Sequence, residues 1–398
     1  MTVTLLSIGE ALVDQSRDRR LVGGGDLVVL PRGLDLETLK TGGVTSLYFS
    51  IDQAPFLYRQ VLAGPRLEDR IRAAAPWIGD ELLYLRAGPD AEPRPVSAGG
   101  RIPSRSEALG ARPDVTRGSW TDAPADRRWM APSDSALYAE IDRFHLPPPS
   151  AGADSTWAEW HYFNLRLPGG RGWLYLTYMV AGDVPDGRWG GRLLATRVAP
   201  PAAARVYSTY LPAREVRFST RGPDLRIGDA SVRLTGDGTY RLRARIPPEE
   251  GHGPPLVLEA RLRPEAGRYL PPVDASPGDF PSGYAVPALR GSASGRLCER
   301  GACRPFEDAV AYHDHNWGTW RGVTWDWGEV QAGPYSLVYG RVIGPGGPEA
   351  APDGFALLAD SLGWLGTFTV DTLRYPSRRA GSRPDTVRLV ASRPGDTV

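Results

Sequence analysis

From about residue 155 onward the sequence predicts an antiparallel, mainly β protein, and three observations carry that prediction. Apolar and polar residues alternate with period two over several short runs, which places one set on a covered face and the other toward water. The 47 Gly and 38 Pro follow no collagen-like period and punctuate those runs as turns. No long stretch with helical periodicity interrupts them. A sandwich or barrel is the natural outcome.

The elements follow in order. Val28-Val29-Leu30 and Ser46-Leu47-Tyr48-Phe49-Ser50-Ile51 read as strands, Leu67 to Ala75 as a short helix ended by Pro76, and Glu81 to Leu85 as a short apolar run. Gly23-Gly24-Gly25 lacks a phosphate-loop Lys and a following periodic helix, so it reads as a turn. Residues 88 to 150 are rich in Pro, Gly, Ser, Asp and Arg and read as linker and wrapping loops, with one helical turn near Ala136 to Ile141. Trp173 to Val180 is apolar on both faces, as for a strand covered on both sides. Ser231 to Leu234, then Gly236-Asp237-Gly238, then Tyr240 to Ile246 is a hairpin. In it Tyr240, Leu242, Ala244 and Ile246 face inward, and Arg241, Arg243 and Arg245 face water. Leu256, Leu258, Ala260 and Leu262 alternate likewise, and Tyr335 to Val342 and Thr367 to Thr372 continue the pattern. No final strand is evident before Val398.

Composition narrows the function. The net charge of +1 supplies no basic excess for nucleic acid, and Arg is scattered among Asp and Glu, so no polybasic anchor stands out. Lys40 is the only lysine, which reads as coding bias. The N-terminus lacks the charged start and apolar run of a secretory signal, and no run approaches the roughly 20 apolar residues of a spanning helix. A cytoplasmic protein is therefore expected, with Cys298 and Cys303 as reduced thiols; a pair across a tight turn is the other reading.

Two clusters carry the chemistry. In Glu159-Trp160-His161-Tyr162-Phe163-Asn164, a strand puts Glu159, His161 and Phe163 on one face and Trp160, Tyr162 and Asn164 on the other. In Tyr312-His313-Asp314-His315-Asn316-Trp317-Gly318, His313, His315 and Trp317 share a face, opposite Tyr312, Asp314 and Asn316. Trp320, Trp325, Asp326, Trp327 and Glu329 follow closely.

These two strands together resemble the lipocalin-like family that includes bacterial carotenoid 1,2-hydratase (hydroxyneurosporene synthase). AttH-like proteins and the fungal decalin-forming Diels–Alderases are more distant likenesses. The resemblance spans roughly 155 to 345 and fits loosely to 398. It implies two lipocalin-like antiparallel β-sandwich or barrel domains, at 151–290 and 291–398, the second short of strands or borrowing them. A mixed α/β segment (1–110) of unassigned role and the linker (111–150) precede them. It further implies acid-catalysed hydration or cyclisation of a hydrophobic isoprenoid in an apolar pocket, without a redox cofactor. On that reading Asp314 or His315 supplies or relays the proton, Trp317 faces the cation, and Tyr312 or Tyr339 positions water. Trp317, His313, Trp325, Trp327, Trp160, His161 and Tyr339 would then contact substrate. The chain departs from the family pattern at His161, where a second Trp is usual, and in Tyr335 to Arg341, where an Asp is absent.

Other readings of the same residues stand beside this one. His313 and His315 suit two metal ligands on one strand face, with His161, Glu159 or Asp326 as a third. The local spacing supplies no third group, so no metal is expected. Asp314 and the two His would otherwise form a buried hydrogen-bond network. Glu159 fits a structural partner of an Arg or a backbone amide better than an acid. Most Trp residues fit core packing, and His145 and His252 sit in loops with no assigned role. A nucleophile elbow and a dinucleotide loop are both missing. An acid-catalysing enzyme and a non-catalytic carrier of a hydrophobic small molecule therefore remain, either one drawing its ligand from a membrane surface.

Overall fold

The computed structural model describes residues 29, 54–86, 88, 91–110, 121–130, 132–145, 156–184, 186–250, 252–274, 282–347, 353–376, 386–393 and 396–397. The strands expected at 28–30 and 46–51 and the glycine cluster lie almost wholly outside these residues. The chain divides into two compact units, Met1–Ser133 and Asp134–Val398.

In the first unit, helix α1 is the ten residues Ala54–Ala63, N-terminal to the helix expected at Leu67 to Ala75. The latter stretch makes a single turn, in which Ile71 N–H donates to the Leu67 carbonyl (3.0 Å). Glu81 to Leu85 falls in strand β1 (Trp77–Leu85), which pairs antiparallel with β2 (Arg94–Arg101). Helices α2 (Pro103–Ala108) and α3 (Arg127–Met130) also occupy the stretch expected as linker. Pro103 suits a first helical turn because its missing N–H would have no partner there. Tyr58, Ile102 and Trp129 form this unit's small apolar core.

The second unit opens with α4 (Asp134–Ile141), longer than the single turn expected. The strands then run β3 (Trp157–Leu167), β4 (Gly172–Asp183), β5 (Arg188–Val198), β6 (Arg205–Pro212), β7 (Val216–Phe218), β8 (Asp224–Ile227), β9 (Ala230–Leu234) and β10 (Tyr240–Ile246). They continue as β11 (Leu256–Pro264), β12 (Leu270–Asp274), β13 (Ser282–Glu299) and β14 (Ala302–Thr319). Among the described residues these twelve form one sheet in the order β6-β5-β4-β3-β14-β13-β11-β10-β9-β8-β7, with β12 also paired to β13. The sheet curls until it nearly closes: Tyr207 of β6 bridges to Pro248, just past β10, and Tyr178 Oη of β4 donates to the Arg243 carbonyl of β10 (2.8 Å). Gly191 is required where β5 meets β7 and β8, since a Cβ there would sit 2.7–2.8 Å from Val216 and Ile227.

Burial follows the predicted alternation. Tyr240, Leu242, Ala244 and Ile246 are buried and the intervening arginines exposed; Leu256 to Pro264 repeats the pattern. In β4 the expectation of full cover on both faces needs correction: Leu174, Leu176, Tyr178 and Val180 are buried, while Trp173, Tyr175, Thr177 and Met179 are only half-covered. Cys298 and Cys303 are disulfide-bonded, which corrects the expectation of free thiols. They face each other across a hairpin whose two-residue turn, Arg300 (φ 52°) and Gly301 (φ 80°), has the left-handed backbone that tight hairpins need.

The second sheet has β15 (Thr324–Ala332), β16 (Tyr335–Ile343), β17 (Gly354–Asp360), β18 (Gly363–Arg374), β19 (Arg388–Arg393) and β20 (Asp396–Thr397), in sequence order and antiparallel. The last two are strands where none was evident from the sequence. The boundary expected at 290/291 falls within β13. The fold is thus mainly β, a large nearly closed antiparallel sheet with a second sheet, after a mixed α/β segment, as the sequence predicts.

Candidate functional site

β3 and β14 pair in register from Thr319↔Trp157 to Val310↔Arg166, and this pairing brings the two sequence clusters side by side. Because successive side chains alternate across a sheet, the pair presents two different sets of groups on its two faces.

The outer face looks toward the second sheet. Asp314 is buried there, accepting hydrogen bonds from Tyr312 Oη (2.9 Å), Tyr284 Oη (3.3 Å) and Asn316 Nδ2 (2.8 Å). Tyr284, from β13, also contacts Tyr312 Oη at 2.5 Å and accepts from Trp327 Nε1 (3.2 Å) on β15. A chain of hydrogen bonds therefore runs from Trp327 through both tyrosines to the carboxyl. Leu270, Val286 and Leu289 of the first sheet pack with Val338, Leu357 and Ala359 of the second around it, flanked by Tyr162, Trp327 and Phe355. Burial in this apolar setting pushes the Asp314 pKa up to about 7, against the opposing pull of Tyr312, His313, Tyr284 and Asn316. Burial, then the charge of Asp314, holds both tyrosines well above their ordinary range. Farther along, Glu329 accepts from Asn164 Nδ2 (3.1 Å) and Gln331 Nε2 (2.6 Å), and burial raises its pKa.

The inner face looks into the curl of the large sheet, where His313 lies 4.9 Å from the Tyr240 ring of β10. The segment after α4 enters here. Asp142, fully buried, sits 2.9 Å from His313 Nε2, 2.9 Å from His315 Nδ1 and 3.1 Å from His161 Nδ1. Glu159 Oε1 accepts the His145 backbone N–H (2.6 Å) and lies 2.9 Å from His315 Nε2. Phe144 stacks on Phe218 and borders His161 and His315. Burial takes the His161 pKa down to about 4, overriding Asp142, and lowers that of His315. Burial also opposes ionisation of Asp142, yet the imidazoles of His313 and His161 hold it well below the usual carboxylate range.

The expected site residues are therefore not all in one place. Tyr312 and Asp314 are together, but His315 lies across the sheet from them, bonded to Asp142. His313 and His161 lie on the inner face with it. Trp317 stacks on His145 (3.6 Å between centroids, 10° between planes) and so does not reach Asp314's face. Trp327 joins the Asp314 network, whereas Trp160 and Trp325 group with Trp320, and Trp325 is 53% exposed. Tyr339, expected to position water or contact substrate, packs in a separate core with Ala356, Phe368 and Ala391. Asp326, a candidate third metal ligand, instead bonds Arg341 (2.9 Å) and Tyr375 (3.0 Å). Glu159 accepts a backbone amide, as one reading held.

Sequence reasoning passed over Asp142, Tyr284 and His145. Asp142 lies 171 residues from His313, so no local spacing points to it. Tyr284 lies beyond three register shifts in the β13–β14 pairing, so extending the hairpin back from Cys298 and Cys303 does not assign its face. His145 shows only as an aromatic-flanked His before a proline run.

No protein-family model matches the chain, and no curated protein does. Among solved structures, an AttH-type protein from Nitrosomonas europaea is similar at 17% identity and a TM-score of 0.44, over 62% of this chain and 81% of that one. Kievitone hydratase from Nectria haematococca is similar at 11% identity and a TM-score of 0.40, over 63% and 77%. Among the described residues, no helix is long and apolar enough to cross a membrane. Fold and site define a mainly β protein with a buried acid–tyrosine network between the two sheets of its second unit.

Proposed function

We propose that the outer face of β14 is an acid–base site of hydratase type, acting on a carbon–carbon double bond of a hydrophobic isoprenoid- or polyketide-like molecule. The observation that carries this reading is the buried Asp314 carboxyl, linked through Tyr312 and Tyr284 to Trp327 amid aromatic side chains. Alkene hydration needs a proton donor, an environment that shields a carbocation, and a route for returning the proton. The Asp314–Tyr312–Tyr284 chain is suited to deliver a proton to one alkene carbon. The faces of Trp327, Tyr162 and Phe355 are suited to stabilise the positive charge on the other. Water then adds to that carbon and its surplus proton returns to the chain; attack by an internal double bond instead moves the cation to a new carbon, whose neighbour loses a proton to the chain to complete cyclisation. No redox cofactor enters this balance. A positioned acid–base group of this kind contributes about 10²–10⁴-fold in rate. Trp325, Val330 and Tyr335, exposed on the edge strand β15 and the start of β16, suit transient contact with the membrane from which such a ligand is drawn.

A second reading, a non-catalytic carrier, is favoured by one observation: both Asp314 oxygens already have partners. The test exposes wild type and Asp314→Asn to an acyclic carotenoid, then applies native mass spectrometry and organic extraction. A product heavier by one water, or an isomer of different retention, from wild type alone supports the enzyme. Unmodified ligand held by both supports the carrier, and no ligand in either overturns both readings.

A further inference from the structure

Four of the chain's five histidines converge on the inner face, although the chemistry proposed above uses none of them. Hydrogen positions follow from the partners. His313 Nδ1 lies 3.0 Å from the Tyr162 carbonyl oxygen, which can only accept, so Nδ1 carries the hydrogen. In a neutral ring Nε2 then presents a lone pair, and it points at the Asp142 carboxylate 2.9 Å away. His161 Nδ1 is 3.1 Å from the same carboxylate without hydrogen-bond alignment, and its Nε2 has no hydrogen-bond partner among the described residues, although the residue is fully buried. Lone pairs facing a carboxylate in a dry interior repel unless positive charge lies between them.

We propose that Asp142, His161 and His313 hold a divalent transition-metal ion, zinc foremost, inside the curl of the large sheet. The three ligand atoms lie within 4.8 Å of one another. Ligand atoms around a tetrahedral zinc, at about 2.0–2.2 Å each, stand about 3.3 Å apart. Asp142 faces one imidazole with each oxygen, Oδ2 2.9 Å from His313 Nε2 and Oδ1 3.1 Å from His161 Nδ1, a few tenths shorter than that spacing and within reach of a small expansion. The surroundings are those a metal-binding imidazole needs. The Tyr162 carbonyl fixes the His313 tautomer so that Nε2 faces the ion, and His315 Nδ1, 2.9 Å from Asp142 Oδ1, holds the carboxylate. Two imidazoles and a carboxylate suit zinc better than calcium or magnesium, which take oxygen ligands. The ion fastens the segment after α4 to β3 and β14. The second nearby set, His145, Glu159 and His315, is less suitable because Glu159 Oε1 already accepts the His145 amide and His145 is only half-buried.

The alternative source of positive charge is protons on the imidazoles, and the experiment separates the two. The full chain is stripped with chelator and titrated with Zn²⁺ alone, then Co²⁺ alone. The proposal expects one ion per chain after gel filtration, a higher melting temperature with Zn²⁺, and visible Co²⁺ bands of a tetrahedral site. His161→Gln and His313→Gln should each weaken binding at least tenfold, with His252→Gln unchanged. Far-UV circular dichroism establishes that the variants fold. If either does not, X-ray absorption of the wild-type zinc protein decides by counting imidazole ligands. Absence of stoichiometric binding, wild-type affinity in the folded variants, or fewer than two imidazoles on the zinc overturns the proposal. Each readout is independent of the hydratase reading.

Discussion

Deleting the Tyr312 hydroxyl tests the buried network of the outer face directly. Tyr312→Phe removes a hydrogen bond to a carboxyl (2.9 Å) and one to a neighbouring hydroxyl (2.5 Å), and leaves the ring in place. A bond to a charged group contributes about 1.5–3 kcal/mol and a neutral one about 0.5–1.5, so the variant should lose about 3 kcal/mol. Tyr284→Phe loses the same hydroxyl contact, a long 3.3 Å contact to Asp314 and the acceptor of Trp327 Nε1, for about 2 kcal/mol. The tyrosine–tyrosine bond is counted in both single variants but can be lost only once. The double variant should therefore fall about 1 kcal/mol short of the sum. Urea unfolding followed by tryptophan fluorescence measures all four corners, and a constant slope confirms that stability alone changed. Additivity within about 0.3–0.5 kcal/mol would mean that the two hydroxyls do not interact, and the relay proposed for catalysis would lose its middle link.

Two further predictions concern the frame around the site. A Cβ at Gly283 would lie 2.2 Å from the Trp317 indole, itself stacked on His145, so Gly283→Ala should destabilise by about 1–3 kcal/mol and disturb the near-UV circular dichroism; an unchanged melting temperature would refute the close approach. Replacing Cys298 and Cys303 by Ser opens a loop of about six residues and should cost about 2 kcal/mol, read as a lower urea midpoint; a thiol assay of the native chain that titrates two free cysteines would refute the pairing.

Period-two alternation made the strands of the second unit legible because it records which face is covered, and covering is a local consequence of the curl. Tyr240 to Ile246 and Leu256 to Leu262 were readable for that reason. The same logic failed where local composition and long-range packing disagree. Residues 88 to 150 carry Pro and Gly at a loop-like density, yet β2, α2 and α3 form there. The final strands were hidden because β19 is short and its run Leu389-Val390-Ala391 is apolar without alternation, Val390 being exposed. Membership in one sheet or the other also lies beyond local pattern: Ser282 to Leu289 of β13 and Ala311 to His315 of β14 are buried on both faces, and only their partners β11 and β3 assign them to the large sheet.

The two motifs were visible as chemistry, but the division between faces decides what that chemistry can be. Alternation alone puts Asp314 opposite His313 and His315, and ten consecutive pairs between β3 and β14 at fixed register make the separation permanent. A carboxyl and an imidazole adjacent in sequence are thereby placed in different solvents: one among tyrosine hydroxyls between two sheets, the other beside two carboxylates inside the curl. The partners that complete each set arrive from far away, Tyr284 along a hairpin and Asp142 at the end of a helix. Three register shifts interrupt the β13–β14 pairing, and a one-residue slip moves Tyr284 to the other face, so counting back from the cysteines cannot assign it. Asp142 is set by the packing of Leu137, Tyr138 and Ile141, which bury one side of α4 and direct its last turn into the sheet. A substitution that loosens α4 without touching either motif should therefore disturb the histidine cluster more than the tyrosine network, because only the former draws a member from that helix's end.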